Sequence, residues 1–359
     1  MMHAWTLAAS DLGGWLHRLD PTVFSVGPLT VKWYGVSYIL GFVIAWVLLR
    51  WLGKRGRTPI PPRVALDAIL VLVMGVLLGG RLGYVLFYQP SLLTDLGSAF
   101  PYWGVLAIQR GGMASHGAMI GIVLACFWLA RGLPDPLAGG MSGPVPRVGK
   151  SSVLHCMDLA CLLAPPGLFV GRVANFVNGE LLGRVVAGPG EKAPWWAVRF
   201  PQELGTKHAP ALTDAQFASL DRLLAGVHQP GDAGGTEIDR LVAKVQSGSR
   251  EIAAQLEPLL SARHPSQLYQ AAAEGMVVGV TLWIVAGRTR RPGVVTAWFL
   301  LIYGVLRIMV EQYWRLPDPQ LAQQYVLGMT RGQLLSVGML AAGVGLLVWA
   351  PRPRQDQAS

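Results

Sequence analysis

Long apolar runs alternate with short polar stretches along most of the chain. Seven of these runs predict membrane-spanning helices, because a span needs about 20 mostly apolar residues. They cover approximately residues 33–52, 64–88, 114–131, 153–177, 266–286, 294–313 and 332–350. The pattern predicts an all-α polytopic membrane protein with about seven transmembrane helices.

A polar segment rich in Gly and Pro, residues 184–263, interrupts this pattern after the fourth run. Thr213 and Gln216 have the spacing of a helix capping box. Apolar residues at helical spacing follow twice, at 220, 223, 224 and 227 and again at 238, 241, 242 and 245. We therefore predict a small extracytoplasmic head between spans four and five. The head is either a solvated insertion or a guide for substrate.

The head divides the chain into three predicted parts. They are an N-terminal membrane part at 1–183, the head at 184–263, and a C-terminal membrane part with a cytoplasmic tail at 264–359. Charged residues make up 14% of the chain, against about 25% in soluble proteins. This composition excludes disorder and disfavours a soluble enzyme. The three cysteines lie in apolar stretches without metal-ligand spacing, which predicts buried thiols.

The net charge of +10 is distributed unevenly between the two ends of the spans. One side carries 13 Lys and Arg residues in short loops and the tail, and the other side carries 5. The positive-inside rule places the 13 in the cytoplasm, so the N-terminus is predicted to be extracytoplasmic and the C-terminus cytoplasmic. Because the cations are spread over the membrane rim, nucleic acid is not a predicted partner.

Three arginines interrupt the apolar runs, and each is costly inside a bilayer unless it is paired or faces a wet cavity. They are Arg81, Arg172 and Arg307. Arg81 lies among glycines at positions 75, 79 and 83, whose spacing predicts close helix packing. We expect Arg81 to face a polar cavity.

The richest polar stretch runs from Gly171 to Arg184. Arg172 and Asn175 share one helix face, and an arginine grips a phosphate in a bidentate manner. Asn178 and Glu180 follow where the helix meets the outer interface. We expect Glu180 to orient Arg172 or Arg184.

Two further groups carry candidate chemistry. Tyr303, Arg307 and Glu311 stand at positions i, i+4 and i+8 and form one stripe in the sixth span. His116 opens the third span between small residues, and histidine is well suited to proton transfer near neutral pH. The stripe and the histidine are candidate parts of one polar site.

These stretches resemble the prolipoprotein diacylglyceryl transferase family. The signature is Gly-Arg-x-x-Asn-Phe-x-Asn-Gly-Glu-x-x-Gly at 171–183, and five further motifs follow the family's order, at 33–35, 79–84, 111–117, 264–269 and 303–311. The chain departs from the usual pattern in three places besides its longer head. Ala118 replaces a glycine, Gln270 replaces a glutamate, and Arg315 follows Glu311 at i+4.

The resemblance implies a bacterial inner-membrane enzyme that starts lipoprotein maturation. Such an enzyme moves the diacylglyceryl group of phosphatidylglycerol to the lipobox cysteine of a prolipoprotein signal peptide. It forms a thioether and releases glycerol phosphate. The resemblance implies no metal or organic cofactor, and an active site that opens to the lipid phase and the extracytoplasmic side.

We assign roles to the candidate residues on this hypothesis. Arg172 and Arg307 bind the phosphate and act in catalysis, with His116 or Tyr303 as the alternative general base. The other residues assigned to substrate binding are Asn175, Tyr34 and Arg81, and those assigned to supporting positions are Asn178, Glu180, Glu311 and Gly183.

Two hypotheses that assign the chain to other functional classes stay open. A secondary transporter for an anionic solute predicts paired repeats, and the sequence shows none. A lipid-binding scaffold predicts the arginine and asparagine cluster without a need for His116 or Tyr303.

Overall fold

The computed structural model describes residues 12–27, 29–96, 102–107, 112–138, 145–229, 236–289, 291–316, 325–326 and 328–350. The predicted basic tail and the start of the Gly111 motif lie outside these ranges. The helices are α1 (Trp33–Lys54), α2 (Ala65–Phe87), α3 (Ser115–Ala130), α4 (Val153–Asn178), α5 (Asp214–Val227), α6 (Thr236–Gln246), α7 (Arg250–Leu256), α8 (Ser266–Gln270), α9 (Val278–Arg288), α10 (Val294–Tyr313) and α11 (Arg331–Trp349). A π-helical segment, Ala271–Val277, joins α8 to α9.

Six helices in the described ranges are long and apolar enough to cross a membrane. They correspond to the predicted spans one, two, four, five, six and seven. The predicted third span is α3, which has 16 residues and is shorter than the usual 20 or so. The all-α polytopic class is thus confirmed, and the count of seven spans stays a prediction.

The strands are short and lie outside the long helices. They are β1 (Trp15–Leu16), β2 (Thr22–Val26), β3 (Leu29–Lys32), β4 (Leu133–Pro134), β5 (Arg147–Val148), β6 (Val185–Ala187), β7 (Val198–Arg199), β8 (Ala262–Arg263), β9 (Tyr325–Val326) and β10 (Met329–Thr330). One four-stranded sheet has the order β1-β7-β8-β6, with β1 parallel to β7 and the other pairs antiparallel. The other pairs are the antiparallel ribbons β2-β3, β4-β5 and β9-β10.

The chain divides into two compact units. The first unit consists of residues 1–38, 168–277 and 302–340, and the second of 39–167, 278–301 and 341–359. The predicted head is part of the first unit, together with the ends of several long helices. The three-part division at 183 and 263 stays a prediction.

The head folds locally as its sequence predicts. Thr213 and Gln216 form the capping box at the start of α5, with both reciprocal hydrogen bonds in place. The apolar stripes of α5 and α6 pack on a buried core with α7, which includes Leu241, Val245 and Leu256. This core includes Leu16 of β1 and therefore lies beside the four-stranded sheet of the first unit.

In the second unit, α2 and α3 approach through their glycines. A Cβ on Gly75 would lie 2.6 Å from the carbonyl oxygen of Gly121, and one on Gly79 would collide with that of Gly117. The predicted packing role of these glycines is confirmed. Cys126 and Cys156 are buried, Cys161 is partly buried, and all three thiols are free, as predicted.

Candidate active site

A buried glutamate in the first unit holds two arginines from different helices. Arg172 of α4 donates from Nε and Nη2 to Oε2 of Glu274, both at 2.9 Å. Arg307 of α10 donates from Nη1 to the other carboxylate oxygen at 3.2 Å. Glu274 has no exposed side-chain surface, and the two arginines are 17% and 15% exposed. The carboxylate therefore fixes both guanidinium groups and leaves each with a small accessible face.

A second glutamate extends the cluster along α10. Glu311 accepts from Nη2 of Arg307 at 2.7 Å and from the hydroxyl of Thr330 at 2.5 Å. The buried Arg315 lies 3.8 Å from the same carboxylate. Arg307, Glu311 and Arg315 thus form a continuous ion-pair chain in which Glu311 holds Arg307, and the supporting role assigned to Glu311 stays a prediction.

This cluster carries one positive charge in excess. Arg172, Arg307 and Arg315 share Glu274 and Glu311, and the more exposed Arg184 and Glu180 nearby leave the balance unchanged. Burial, with the positive charges of Arg307 and Arg172, lowers the pKa of Arg315 to about 9. Within the described ranges, Nε and Nη1 of Arg315 have no hydrogen-bond partner. An anion is the ligand that this arrangement of fixed cations favours.

Sequence reasoning missed Glu274, although a signal for it was present. In the structure Glu274 lies in the middle of the π-helical segment, and π-bulges often occur at functional sites, but the sequence does not show this segment. Gln270, one turn earlier, donates to Oε1 of Glu274 at 3.3 Å. A carboxylate within a predicted span is as costly as an arginine and needs a cation. The same argument applied to acids would have selected Glu274 together with Asp67, Asp158 and Glu311.

The signature loop after α4 is held by its own polar residues. Asn175 and Asn178 donate to the two oxygens of Glu180, at 3.2 and 3.1 Å. The amide of Gln267 donates to the backbone carbonyl of Glu180. Glu180 therefore orients the two asparagines. The carboxylate that pairs with Arg172 belongs to Glu274 and not to Glu180, which the sequence had suggested.

The end of this loop packs against two other segments of the first unit. Gly183 lies against the backbone of His264, so any Cβ at position 183 would collide with the His264 carbonyl. The amide of Arg184 donates to the carbonyl of Trp314 at 2.9 Å. Ser266 donates to the Leu181 carbonyl at 3.0 Å rather than capping α8. These contacts bring Arg184 and Arg315 to the ion-pair chain.

Two tyrosines of the first unit lie near Arg172. Arg172 hydrogen-bonds to the hydroxyl of Tyr303, which belongs to the same stripe as Arg307. The hydroxyl of Tyr34 lies 3.0 Å from that of Tyr38, close enough to Glu180 and Arg172 to interact electrostatically. Both tyrosines thus lie near Arg172, and the roles assigned to them from the sequence stay predictions.

The remaining predicted residues belong to the second unit. Arg81 is buried and donates to the carbonyls of Val105, Gly104 and Gly112, at 2.7, 2.7 and 3.0 Å. It therefore ties down the segment before α3 instead of facing a polar cavity. His116 lies in the first turn of α3, and its side chain is outside the described part of the structure. Within that part, no group of three His, Cys, Asp or Glu residues has the arrangement of a metal site.

Comparison with known families finds one whose sequence pattern matches residues 21–349, described as prolipoprotein diacylglyceryl transferase. The chain belongs to this family. The match covers six predicted spans in full, the seventh except for its last residue, and every site residue named above. It confirms the resemblance that the motifs indicated. With its six long apolar helices, this member of the family is a transferase and a multi-pass bacterial inner-membrane protein.

Curated relatives of the family agree along almost the whole chain. A phosphatidylglycerol–prolipoprotein diacylglyceryl transferase of Bdellovibrio bacteriovorus is 37% identical and covers 93% of both chains. Proteins of the same name from Chromohalobacter salexigens and Xanthomonas euvesicatoria are 33% and 34% identical. They cover 95% and 94% of this chain and 96% and 93% of their own. With 93% or more of this chain covered, each of the three alignments extends over most of the head.

Proposed function

We propose that this chain transfers the diacylglyceryl group of phosphatidylglycerol to the lipobox cysteine of a prolipoprotein signal peptide. The observation that carries the proposal is the pair of arginines fixed on Glu274, with one cation in excess, in a chain of this family. A phosphodiester is an anion of the size and chemistry that two guanidinium groups bind. The reaction is the first step of lipoprotein maturation.

The reaction makes one bond and breaks one. The cysteine sulfur attacks the glyceryl carbon that carries the phosphate ester, so a C–S bond forms and a C–O bond breaks. The electron pair leaves on the oxygen of glycerol phosphate, and the thiol proton passes to a base. Negative charge grows on the departing phosphate. Arg172 and Arg307 stabilise that charge because they are already in position and need no reorganisation.

Two residues are the candidates for the base. A free thiol has a pKa of about 8.5, so His116 is better matched to it than a tyrosine with an ordinary pKa of about 10. The contact of Tyr303 with Arg172 supports the alternative. H116Q and Y303F separate the two. The variant that lacks the base loses transfer at every pH, whereas the other retains a turnover within about tenfold of the wild type.

The supporting residues have distinct tasks in this proposal. Asn175 adds a hydrogen bond to the phosphate, and Tyr34 shapes the headgroup pocket. Asn178 and Glu180 hold the signature loop, and Gly183 allows its close approach to His264. Arg81 positions the segment that leads to His116, because three of its five N–H groups donate to backbone carbonyls of that segment, and its contact with the substrate headgroup stays a prediction.

The orientation proposed from the basic loops has the N-terminus outside and the C-terminus in the cytoplasm. It places the head and the ion-pair cluster toward the extracytoplasmic side. This agrees with a substrate whose lipobox cysteine emerges at that face of the membrane.

The decisive test is a transfer assay with purified protein. Phosphatidylglycerol and a lipobox peptide are added in detergent, and the peptide is weighed by mass spectrometry. We expect a gain of one diacylglyceryl group, absent with a peptide in which alanine replaces the cysteine and absent with R172A. A preparation that binds phosphatidylglycerol but never modifies the peptide would instead favour a lipid-binding scaffold.

A further inference from the structure

The second unit contains a cavity that the transfer reaction does not use. It has a volume of about 370 Å³, within the range of about 300–1,000 Å³ that is usual for ligand pockets. Its lining comes from the end of α1, the start of α4, the end of α9 and the start of α10. The cavity therefore lies where four long apolar helices begin or end, which is where their lengths predict a membrane interface.

The charged lining of this cavity is mostly basic. Arg57 and Arg291 line it, together with His155 and the carboxylate of Asp158. Asp158 accepts three hydrogen bonds from the start of α10, from the amides of Gly293 and Thr296 and the Thr296 hydroxyl, each at 2.7 Å. The carboxylate is thus engaged in closing the helix start, and two guanidinium groups stand against one acid.

Arg291 has donor capacity that the described part of the chain does not use. Its Nη2 donates to the carbonyl of Ala350 at 2.8 Å, which fixes the guanidinium. Its Nε is buried and has no hydrogen-bond partner within the described part of the chain. A buried guanidinium N–H without an acceptor is costly, and an anionic oxygen in the cavity would remove that cost.

Two tryptophans give the cavity an amphipathic character. Trp51 and Trp283 line it with their rings in an edge-to-face arrangement, 5.9 Å between centroids. The guanidinium of Arg55 lies 4.6 Å over the Trp51 ring. Tryptophan beside arginine is typical of the depth at which lipid headgroups lie. Apolar residues such as Leu159 and Leu162 continue the lining toward the interior.

We propose that this cavity binds the phosphodiester headgroup of an anionic phospholipid as a second lipid site, separate from the transfer site. Basic pockets between transmembrane helices bind anionic headgroups in this way. Arg57 and Arg291 hold the phosphate, and the tryptophans hold the glycerol region. Because this proposal concerns lipid binding alone, evidence against binding at this cavity would leave the proposed transfer reaction untouched.

The test counts the lipids that the purified protein retains. Native mass spectrometry is run in detergent with phosphatidylglycerol, and in parallel with the neutral phosphatidylcholine. We expect the double variant R57Q/R291Q to lose one bound phosphatidylglycerol, with its Kd raised about tenfold or more, while phosphatidylcholine binding is unchanged. Transfer to a lipobox peptide stays within about twofold of the wild type, because the ion-pair cluster is not altered.

Matched variants keep the result interpretable. R50Q removes an arginine near the same end of α1 that does not line the cavity, and it leaves the lipid count unchanged. R57Q alone changes an exposed residue and is therefore expected to fold. It should weaken binding of the second phosphatidylglycerol even if the double variant is poorly folded. An equal lipid count in R57Q, R50Q and the wild type overturns the site. If the cavity binds inorganic phosphate but does not bind phosphatidylglycerol, the assignment of a lipid ligand is overturned.

Discussion

Two buried arginine–glutamate clusters in the described part of the first unit differ in their balance of charge. In the head, Arg263 donates to Glu203 at 2.5 Å and to two carbonyls, and Arg199 donates to the carbonyls of Leu260 and Glu191. Glu257 supplies a second buried acid, so two arginines meet two glutamates. In the membrane cluster, which is the candidate active-site cluster around Glu274 and Glu311, three arginines meet two glutamates. Burial of charge is common to both, and the excess cation marks the site.

The environment of the head acid is consistent with a structural role. Burial raises the pKa of Glu203, while Arg263 and the amide of Ser261 oppose this shift. Its donors come from the strand and loop that close the head core. The two arginines of this cluster are balanced by two glutamates, although Nε of Arg199 has no hydrogen-bond partner within the described residues. The cluster holds β7 and β8 together and carries no excess positive charge that an anion would neutralise.

The largest effect separates the two glutamates. E274Q should reduce kcat for transfer by about 100-fold or more, because Arg172 and Arg307 lose their common anchor and no longer preorganise the site. E203Q should lower the free energy of unfolding by about 3–5 kcal/mol, since it breaks a buried ion pair. Folded E203Q should keep kcat within about twofold. Peptide transfer and thermal unfolding in detergent measure both.

Equal losses of kcat in folded E274Q and E203Q would contradict this comparison. The head cluster would then contribute to catalysis, and the excess of charge would not distinguish the two clusters. Unchanged kcat in E274Q would remove the anchoring role of Glu274 directly.

The next effect exchanges the shape of the cation and keeps its charge. R172K should lose most of its activity, about 10² in kcat, because lysine lacks the planar fork that reaches Glu274 and a phosphate together. R263K should lower Tm with little change in kcat, because its fork joins Glu203 to backbone carbonyls. The two variants are compared by kcat and Tm measured on the same preparations. Full activity in R172K would exclude a bidentate phosphate contact.

A smaller, pH-dependent effect tests the buried contact that His17 makes with the end of α4 and with Gln202 of the head. His17 is fully buried, lies 2.8 Å from the Phe176 carbonyl through Nε2, and accepts from the amide of Gln202 at Nδ1. Burial lowers its pKa to about 4, below the ordinary value of about 6.5. The unfolded chain therefore binds a proton between these values that the folded chain does not. Stability falls as pH falls through this window.

The expected size follows from the two pKa values. Between pH 7 and pH 5 the His17 contribution removes about 2 kcal/mol of stability. H17Q should be less stable at pH 7 but should show a smaller loss on going to pH 5. A wild-type Tm that rises on acidification, with H17Q following it, would contradict the assignment.

Sequence reasoning found the parts of the site that lie along one helix. The Arg307–Glu311 pair and the capping box at Thr213 follow from i, i+4 and i, i+3 spacing, so both are local facts. Glu274 is 102 residues from Arg172, and only helix packing brings them together. Glu180 was matched to the wrong partner because the chain turns after Asn178. Periodicity does not give the direction of a side chain beyond a helix end.

The spans show the same limit at a larger scale. Runs of apolar residues located six of the long helices to within a few residues, since length and hydropathy decide them. They did not reveal the π-helical segment, because an extra residue in a turn leaves no mark on composition. Arg81 was expected in a polar cavity, yet backbone carbonyls satisfy it. A sequence shows that a buried charge needs partners, and the fold decides whether these come from the backbone or a ligand.

The smallest effect asks whether the head is only a scaffold. Thr213 accepts from the amide of Gln216 at 3.4 Å, and the Gln216 side chain accepts from the Thr213 amide at 3.0 Å. T213A should destabilise the start of α5 by about 1 kcal/mol, so its amides should exchange about fivefold faster. S219A, which removes a hydroxyl within the same helix, should change exchange much less. If transfer is unaffected in both, α5 is a solvated element. A transfer rate that falls with α5 protection in T213A alone would mean that the head guides the peptide, and the contrast between a structural head and a chemical membrane cluster would no longer hold.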